Sequence, residues 1–370
     1  MRNLLGVLVL LGSWQAVRAQ DASVLAERLR NGDGQAGIQL AKQGAKAVPA
    51  LVGVLKDGDS KIRGQAAYAL GLIGPPAKEA VDELVRALTD QEPSLRAQAA
   101  FALGRIGPDA GPAVVKTLAK GDAKISVAAA RALAGMRAPV KGAAAPLLAA
   151  LRKEQSPQNQ TAFIDALGHQ GKSADEAVPY LVELAKDARA PQVHIVVALG
   201  NIGSSAKEGV PYLIELLKKK EPGPVTLHAV QSLGQIGLRH PDIATALLDL
   251  MKDGNQPRMV ILESLSKAGA VTKETLPAIS QGMRDRDHVV RLYSARLVGS
   301  VEPNDPSVVS ILVEGLQDKD AKVRLLAAEV LQTVQPRDDA VLEALQAAGR
   351  DMDANVRKAA ALALEKFKKK

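Results

Sequence analysis

The chain contains no cysteine. That excludes a disulfide framework, a thiolate-bound zinc centre and a cysteine nucleophile. Aromatic residues are nearly as scarce, with one Trp, three Phe and four Tyr in 370 residues. A chain of this length is ordinarily read as two or three domains. Their cores would be short of rings, which usually supply much of the buried area. Thin layers of helices packed through Ala, Leu, Val and Ile fit the composition better. Charged residues at 24% and a mean hydropathy near zero exclude a polytopic membrane protein and a disordered chain.

Long apolar runs are also missing, apart from Leu4 to Leu11 near the start. Arg2 precedes that run, and Val17-Arg18-Ala19 follows it with small residues placed for cleavage after Ala19. This three-part pattern predicts a secretory signal peptide over residues 1–19. The run breaks at Gly12, Ser13 and Gln15 and is too short to span a bilayer. The mature protein is therefore expected to be exported, to the periplasm or the extracellular space. Loss of Arg2 and Arg18 lowers the net charge from +8 to +6. A mild basic excess favours acidic partners or surfaces. Part of it lies in the terminal Lys366, Lys368, Lys369 and Lys370.

What is abundant is repetition. Residues 47–74 read AVPALVGVLKDGDSKIRGQAAYALGLIG, and residues 80–107 read AVDELVRALTDQEPSLRAQAAFALGRIG. Arg63 and Arg96, Arg291 and Arg324, and Arg324 and Arg357 are each 33 residues apart. Gly pairs such as Gly71/Gly74, Gly104/Gly107 and Gly234/Gly237 keep a similar period. We read ten full repeats within residues 44–370, preceded by a capping unit at 20–43. In each repeat Val48, Leu51, Val52 and Leu55, or their equivalents, share one helical face. Ile62, Ala66, Ala69, Leu70 and Ile73 share a face of the second helix. Gly74 is placed to take a left-handed cap, and Pro75 blocks continuation. One such hairpin cannot bury its own apolar face, whereas stacked neighbours can. The expected fold is all-α, an α-solenoid: a right-handed superhelix of stacked antiparallel helix pairs, expected as a monomer.

An Asp and an Arg six residues apart recur as Asp57–Arg63, Asp90–Arg96, Asp285–Arg291, Asp318–Arg324 and Asp351–Arg357. Each Asp is expected to cap the second helix of its repeat. Each Arg is expected to bond the Asp of its own or an adjacent repeat, forming a structural ladder. Five copies at one position favour that role over a row of catalytic carboxylates. The ladder breaks mid-chain, where Ser126, Gln160, Val193 and Thr226 stand at or near the Arg position.

The recurring pattern VPxLxxxLxDxxxxVRxxAAxALGxIG resembles HEAT repeats, in particular the short phycocyanobilin-lyase-like type, over nearly all of residues 44–367. The resemblance implies second helices lining a concave face, and a family dominated by binding scaffolds. Its enzymatic relatives are poorly matched. Di-iron HEAT hydroxylases need His-Glu pairs, but the five histidines here precede Gln170, Ile195, Ala229, Pro241 and Val289. HEAT-type DNA glycosylases need aromatic residues around an exposed base, and the one Trp is Trp14. Bilin lyases work inside cells, which the leader argues against. Gly32, Gly34 and Gly37 spell a dinucleotide fingerprint, but a helical segment precedes them rather than a strand. No metal site, cofactor or specific nucleic-acid partner is expected.

A partner site is placed on the outward row of the second helices. Tyr68, Phe101, Arg131, Asp165 and Gln231 lie on this row, and His194 and His228 lie on the row three residues earlier. Tyr68 and Phe101 are the expected anchors, since exposed rings supply much contact energy. His194 and His228 fall in adjacent repeats, roughly 10 Å apart at ordinary helix spacing and too far to share a metal. Three functions follow in order: a non-enzymatic scaffold for a protein or peptide, a binder of an acidic polymer, and a lyase-type enzyme.

Overall fold

A computed structural model describes residues 21–120, 122–237, 241–252 and 257–368. The expected signal peptide, residues 1–19, lies outside them. All regular structure among the described residues is helical. Consecutive helices pair as hairpins, and the chain divides into two compact units.

The first unit is Met1–Ala177 with Ala188–Pro191. It pairs α1 (Ala22–Arg30) with α2 (Gly34–Lys42), and α3 (Val48–Asp57) with α4 (Ser60–Ile73). It continues with α5 (Val81–Leu88) and α6 (Pro93–Ile106), α7 (Gly111–Lys120) and α8 (Ala123–Met136), and α9 (Ala144–Leu151) and α10 (Pro157–His169). The second helices α2, α4, α6, α8 and α10 pack one on the next, and the first helices do the same on the other side.

The second unit is Val178–Asp187 with Gln192–Lys370. Its pairs are α11 (Val178–Leu184) and α12 (Gln192–Ile202), α13 (Val210–Lys218) and α14 (Pro224–Ile236), and α15 (Pro241–Met251) and α16 (Arg258–Lys267). Then come α17 (Leu276–Ser280) and α18 (His288–Gly299), α19 (Pro306–Leu316) and α20 (Ala321–Val334), and α21 (Asp339–Ala348) and α22 (Ala354–Lys368). The second helices α12 through α22 again stack in sequence. Each unit is thus a stretch of α-solenoid.

Small residues set the layer spacing. Ala66, Ala69 and Leu70 are buried in α4, as are Ala99, Ala102 and Leu103 in α6. A Cβ added at Gly71 would lie 2.6 Å from the Phe101 ring and 3.0 Å from the Ala102 Cα, so glycine lets α4 and α6 approach closely. Gly74 ends α4 with φ 73° and ψ −139°, not the left-handed helical cap expected from sequence. That conformation is open to glycine and strained for any side chain. The buried phenylalanine of α10, Phe163, stands where α4 has Ala66.

The ladder exists in a different form from the one expected. Second helices are capped by Asp59, Asp122, Asp287 and Asp320, whose carboxylates accept from the N–H of Ile62, Ile125, Val289 and Lys322. The cap therefore lies two residues beyond the ladder Asp, which corrects the expected role of that Asp. The Oδ1 atoms of Asp90, Asp285, Asp318 and Asp351 accept from the N–H of Glu92, Asp287, Asp320 and Asp353. Their second oxygen faces the preceding repeat. Arg63 Nη1 donates to Asp90 Oδ2 at 2.9 Å, and Arg324 donates to both oxygens of Asp351 at 2.7 and 2.9 Å.

The other rungs depart from expectation. Asp285 is held by Arg258, the repeat-seven residue 33 positions before Arg291 that the sequence reading passed over. Asp318 is held by His288 rather than by Arg291. Arg291 ties the carbonyl of Asp285 in its own turn at 2.8 Å. Arg96 likewise ties the Asp90 and Gln91 carbonyls, and the next repeat offers it Lys120 in place of an Asp. Arg357, in the last repeat, ties the carbonyls of Asp351 and Met352. Among the described residues Asp57 carries no ion pair, and the cap before it places no Arg at the ladder position. Where the ladder lapses, Gln160 and Thr226 still bond the carbonyls of Glu154 and Glu221, at 2.9 and 2.6 Å. At these two positions the bond that closes the turn is kept without an arginine.

Candidate functional site

Tyr68 on α4 and Phe101 on α6 come together as expected from their shared row. Their rings stack with centroids 5.4 Å apart and planes 25° from parallel. Close packing over Gly71 fixes the Phe101 ring. Both rings stay open to solvent, at 41% and 39% exposure. Two further apolar side chains join this face. Ile38 on α2 is 39% exposed, and Leu72, one turn beyond Tyr68, is 42% exposed. The sequence reading missed both, because α2 lacks the repeat signature and Leu72 lies on a neighbouring row. Spacing of i to i+4 along α4 is the signal that finds Leu72.

A groove of about 590 Å³ runs beside the rings, between α2, α4 and α6. Ile38, Lys61, Gln65, Tyr68, Glu92 and Gln98 are among its lining residues. Gln65 is half-buried, and its side-chain carbonyl oxygen is buried with no hydrogen-bond partner among the described residues. Burial without a partner is costly for an amide.

None of the remaining candidates lines this groove. Arg131 is exposed on α8, and Asp165 is half-buried on α10. His194 on α12 and His228 and Gln231 on α14 belong to the second unit. There His228 Nδ1 lies 2.9 Å from Gln231 Oε1, one turn along the same helix. Among the described residues no cluster of three His, Asp or Glu side chains could hold a metal ion. Tyr212 on α13 donates to Gln192, and burial pushes its phenol up to about 12. It is a packing residue at the base of its repeat.

A second cavity of about 770 Å³ lies between the first helices α13 and α15. Val210, Pro211, Ile214, Leu217 and Leu250 make its floor, and its rim mixes Lys207 and Lys218 with Asp242 and Asp249. It contains no ring and favours no sign of charge.

The HEAT-repeat family model matches residues 16–104, 48–134 and 276–365, together more than half of the chain. The chain belongs to the HEAT-repeat family. Its fold is similar to that of yeast importin-beta (Kap95p), with a TM-score of 0.57 at 12% identity over 90% of this chain and 53% of that one. It is similar again to Kap95p in a structure concerned with its binding to RanGDP, with a TM-score of 0.60 at 12% identity over 94% and 57% of the two chains. A structure of importin beta in an ammonium sulfate condition gives a TM-score of 0.51 at 13% identity, covering 94% and 62%. The chain thus spans less than two thirds of the length of each. At such identities the likeness is one of HEAT fold. No curated protein matches the sequence. No described helix is long and apolar enough to cross a membrane.

Proposed function

We propose that this HEAT protein is an exported, non-enzymatic scaffold that binds a protein or peptide partner through the second-helix face of its N-terminal layers. The observation that carries this reading is the grouping of exposed apolar side chains on α2, α4 and α6: Ile38 and Tyr68 line one groove, Phe101 stacks on Tyr68, and Leu72 follows one turn along α4. Clustered exposed apolar side chains mark an interaction surface, whereas single ones do not. A solenoid whose second helices line the concave side presents such a surface to a ligand along several layers. Kap95p, of similar fold, binds the protein RanGDP. The 33-residue period supports placing the repeats in the short phycocyanobilin-lyase-like class.

Two experiments test the reading. Mass spectrometry of the native protein should find a mature N-terminus at Gln20 in the envelope or medium, and an intact Met1 inside the cell would reject export. Crosslinking from Phe101 should trap a protein partner, and a folded bait that traps none would reject the scaffold.

A further inference from the structure

The three helices that carry this face bear basic residues only, although Glu92, the residue before α6, also lines the groove. Helices α4, α6 and α8 carry Lys61, Arg63, Arg96, Arg105, Lys124 and Arg131 and no acidic residue at all. Arg63 is engaged by Asp90, and Arg96 by the carbonyls of its own turn. Lys61, Arg105, Lys124 and Arg131 are exposed, and none makes an ion pair or hydrogen bond among the described residues. The nearest carboxylates in sequence, Asp59, Glu92 and Asp122, cap these three helices and accept from their first-turn N–H groups. Their charge is thus set against the positive helix ends.

We infer that this face takes an extended acidic peptide segment. Its apolar side chains would seat on Ile38, Tyr68, Leu72 and Phe101, and its carboxylates would meet Lys61, Arg105, Lys124 and Arg131. The inference rests on the scaffold reading and names its ligand class. Charge complementarity selects the sign, and the groove selects a peptide. Helix layers about 10 Å apart, crossed at about 3.3 Å per residue, make a segment of about nine residues long enough to run from α2 to α8. A nucleic acid or sulfated polysaccharide fits less well, because a charge on every unit would fall on Ile38 and Leu72. The rings also stack on each other and leave no slot for a base between them.

Fluorescence anisotropy with the full chain tests this, using four labelled probes of about ten units. They are a peptide of Glu interspersed with Phe and Leu, its counterpart with Lys for Glu, an oligoglutamate, and a single-stranded oligonucleotide. The first should bind at least about tenfold more tightly than the other three. Binding should weaken as salt rises from about 50 to 500 mM. Phe101→Ala, and separately the double variant Arg105→Glu/Arg131→Glu, should each weaken it about fivefold or more. All of these positions are exposed, and unchanged helical circular dichroism verifies folding. Equal binding of the lysine peptide would overturn the inference, as would binding of the mixed peptide that ignores Arg105→Glu/Arg131→Glu. Oligoglutamate or oligonucleotide binding as tightly as the mixed peptide would replace it with a polyanion site. A protein crosslinked at Phe101 through a segment without Asp or Glu would keep the scaffold and reject the acidic peptide. No crosslink at all would reject the scaffold itself.

Discussion

Arg324 holds both carboxylate oxygens of Asp351 in the next repeat, while its Nη1 holds the carbonyl of Asp318 in its own. One guanidinium therefore closes a turn and ties two layers. Arg357 performs only the first task, on Asp351 and Met352. Arg324→Ala is expected to lower the urea midpoint of unfolding clearly more than Arg357→Ala does. Equal effects would show that the inter-repeat bond contributes nothing.

The same rungs predict an acid response. Arg324 and then the Asp353 N–H hold the Asp351 carboxyl below its usual range, and the Glu92 N–H and then Arg63 do so for Asp90. A lowered native pKa stabilises the fold above the unfolded value of about 3.9. That stability is lost as pH falls through the lowered native value. Asp351→Asn should therefore flatten the decline of thermal stability below about pH 4, while being less stable than the parent at neutral pH. Parallel acid limbs in the two proteins would contradict this.

Gly71 is predicted to be intolerant of a methyl group. Gly71→Ala would press on the Phe101 ring and on the Ala102 backbone. The cost expected from urea unfolding is about 1–3 kcal/mol. Adding Phe101→Ala should recover only part of it, because the Ala102 contact remains.

Two phenylalanines should separate stability from binding. Phe163 is buried at 1% exposure and Phe101 is not. Phe163→Ala should cost about 3–5 kcal/mol of stability. Phe101→Ala should leave most of the stability and weaken partner capture.

Much of this was legible beforehand, for physical reasons that can be located. The 33-residue register exposed the helix pairs, and the shared row exposed Tyr68 and Phe101. The cap assignment differs by two residues because an Asp can accept the N–H two positions on, which passes the capping task to Asp287 or Asp320. Arg258 was hidden because its own repeat has Lys252 six residues earlier, so no Asp–Arg spacing marks it, although its partner is one repeat away. His288 rather than Arg291 bonds Asp318, a choice of partner that spacing does not encode. Ile38 and Leu72 were missed because a face several helices wide is larger than any single row.

The central claim is that partners dock on the second helices of the first layers. A photo-crosslinking phenylalanine analogue placed at Phe101 tests it most directly, against the same group at Met352, which is 97% exposed in the last repeat. The account predicts a discrete protein adduct from position 101 in the native compartment and none from position 352. Adducts from 352 alone, or the same adducts from both, would contradict it.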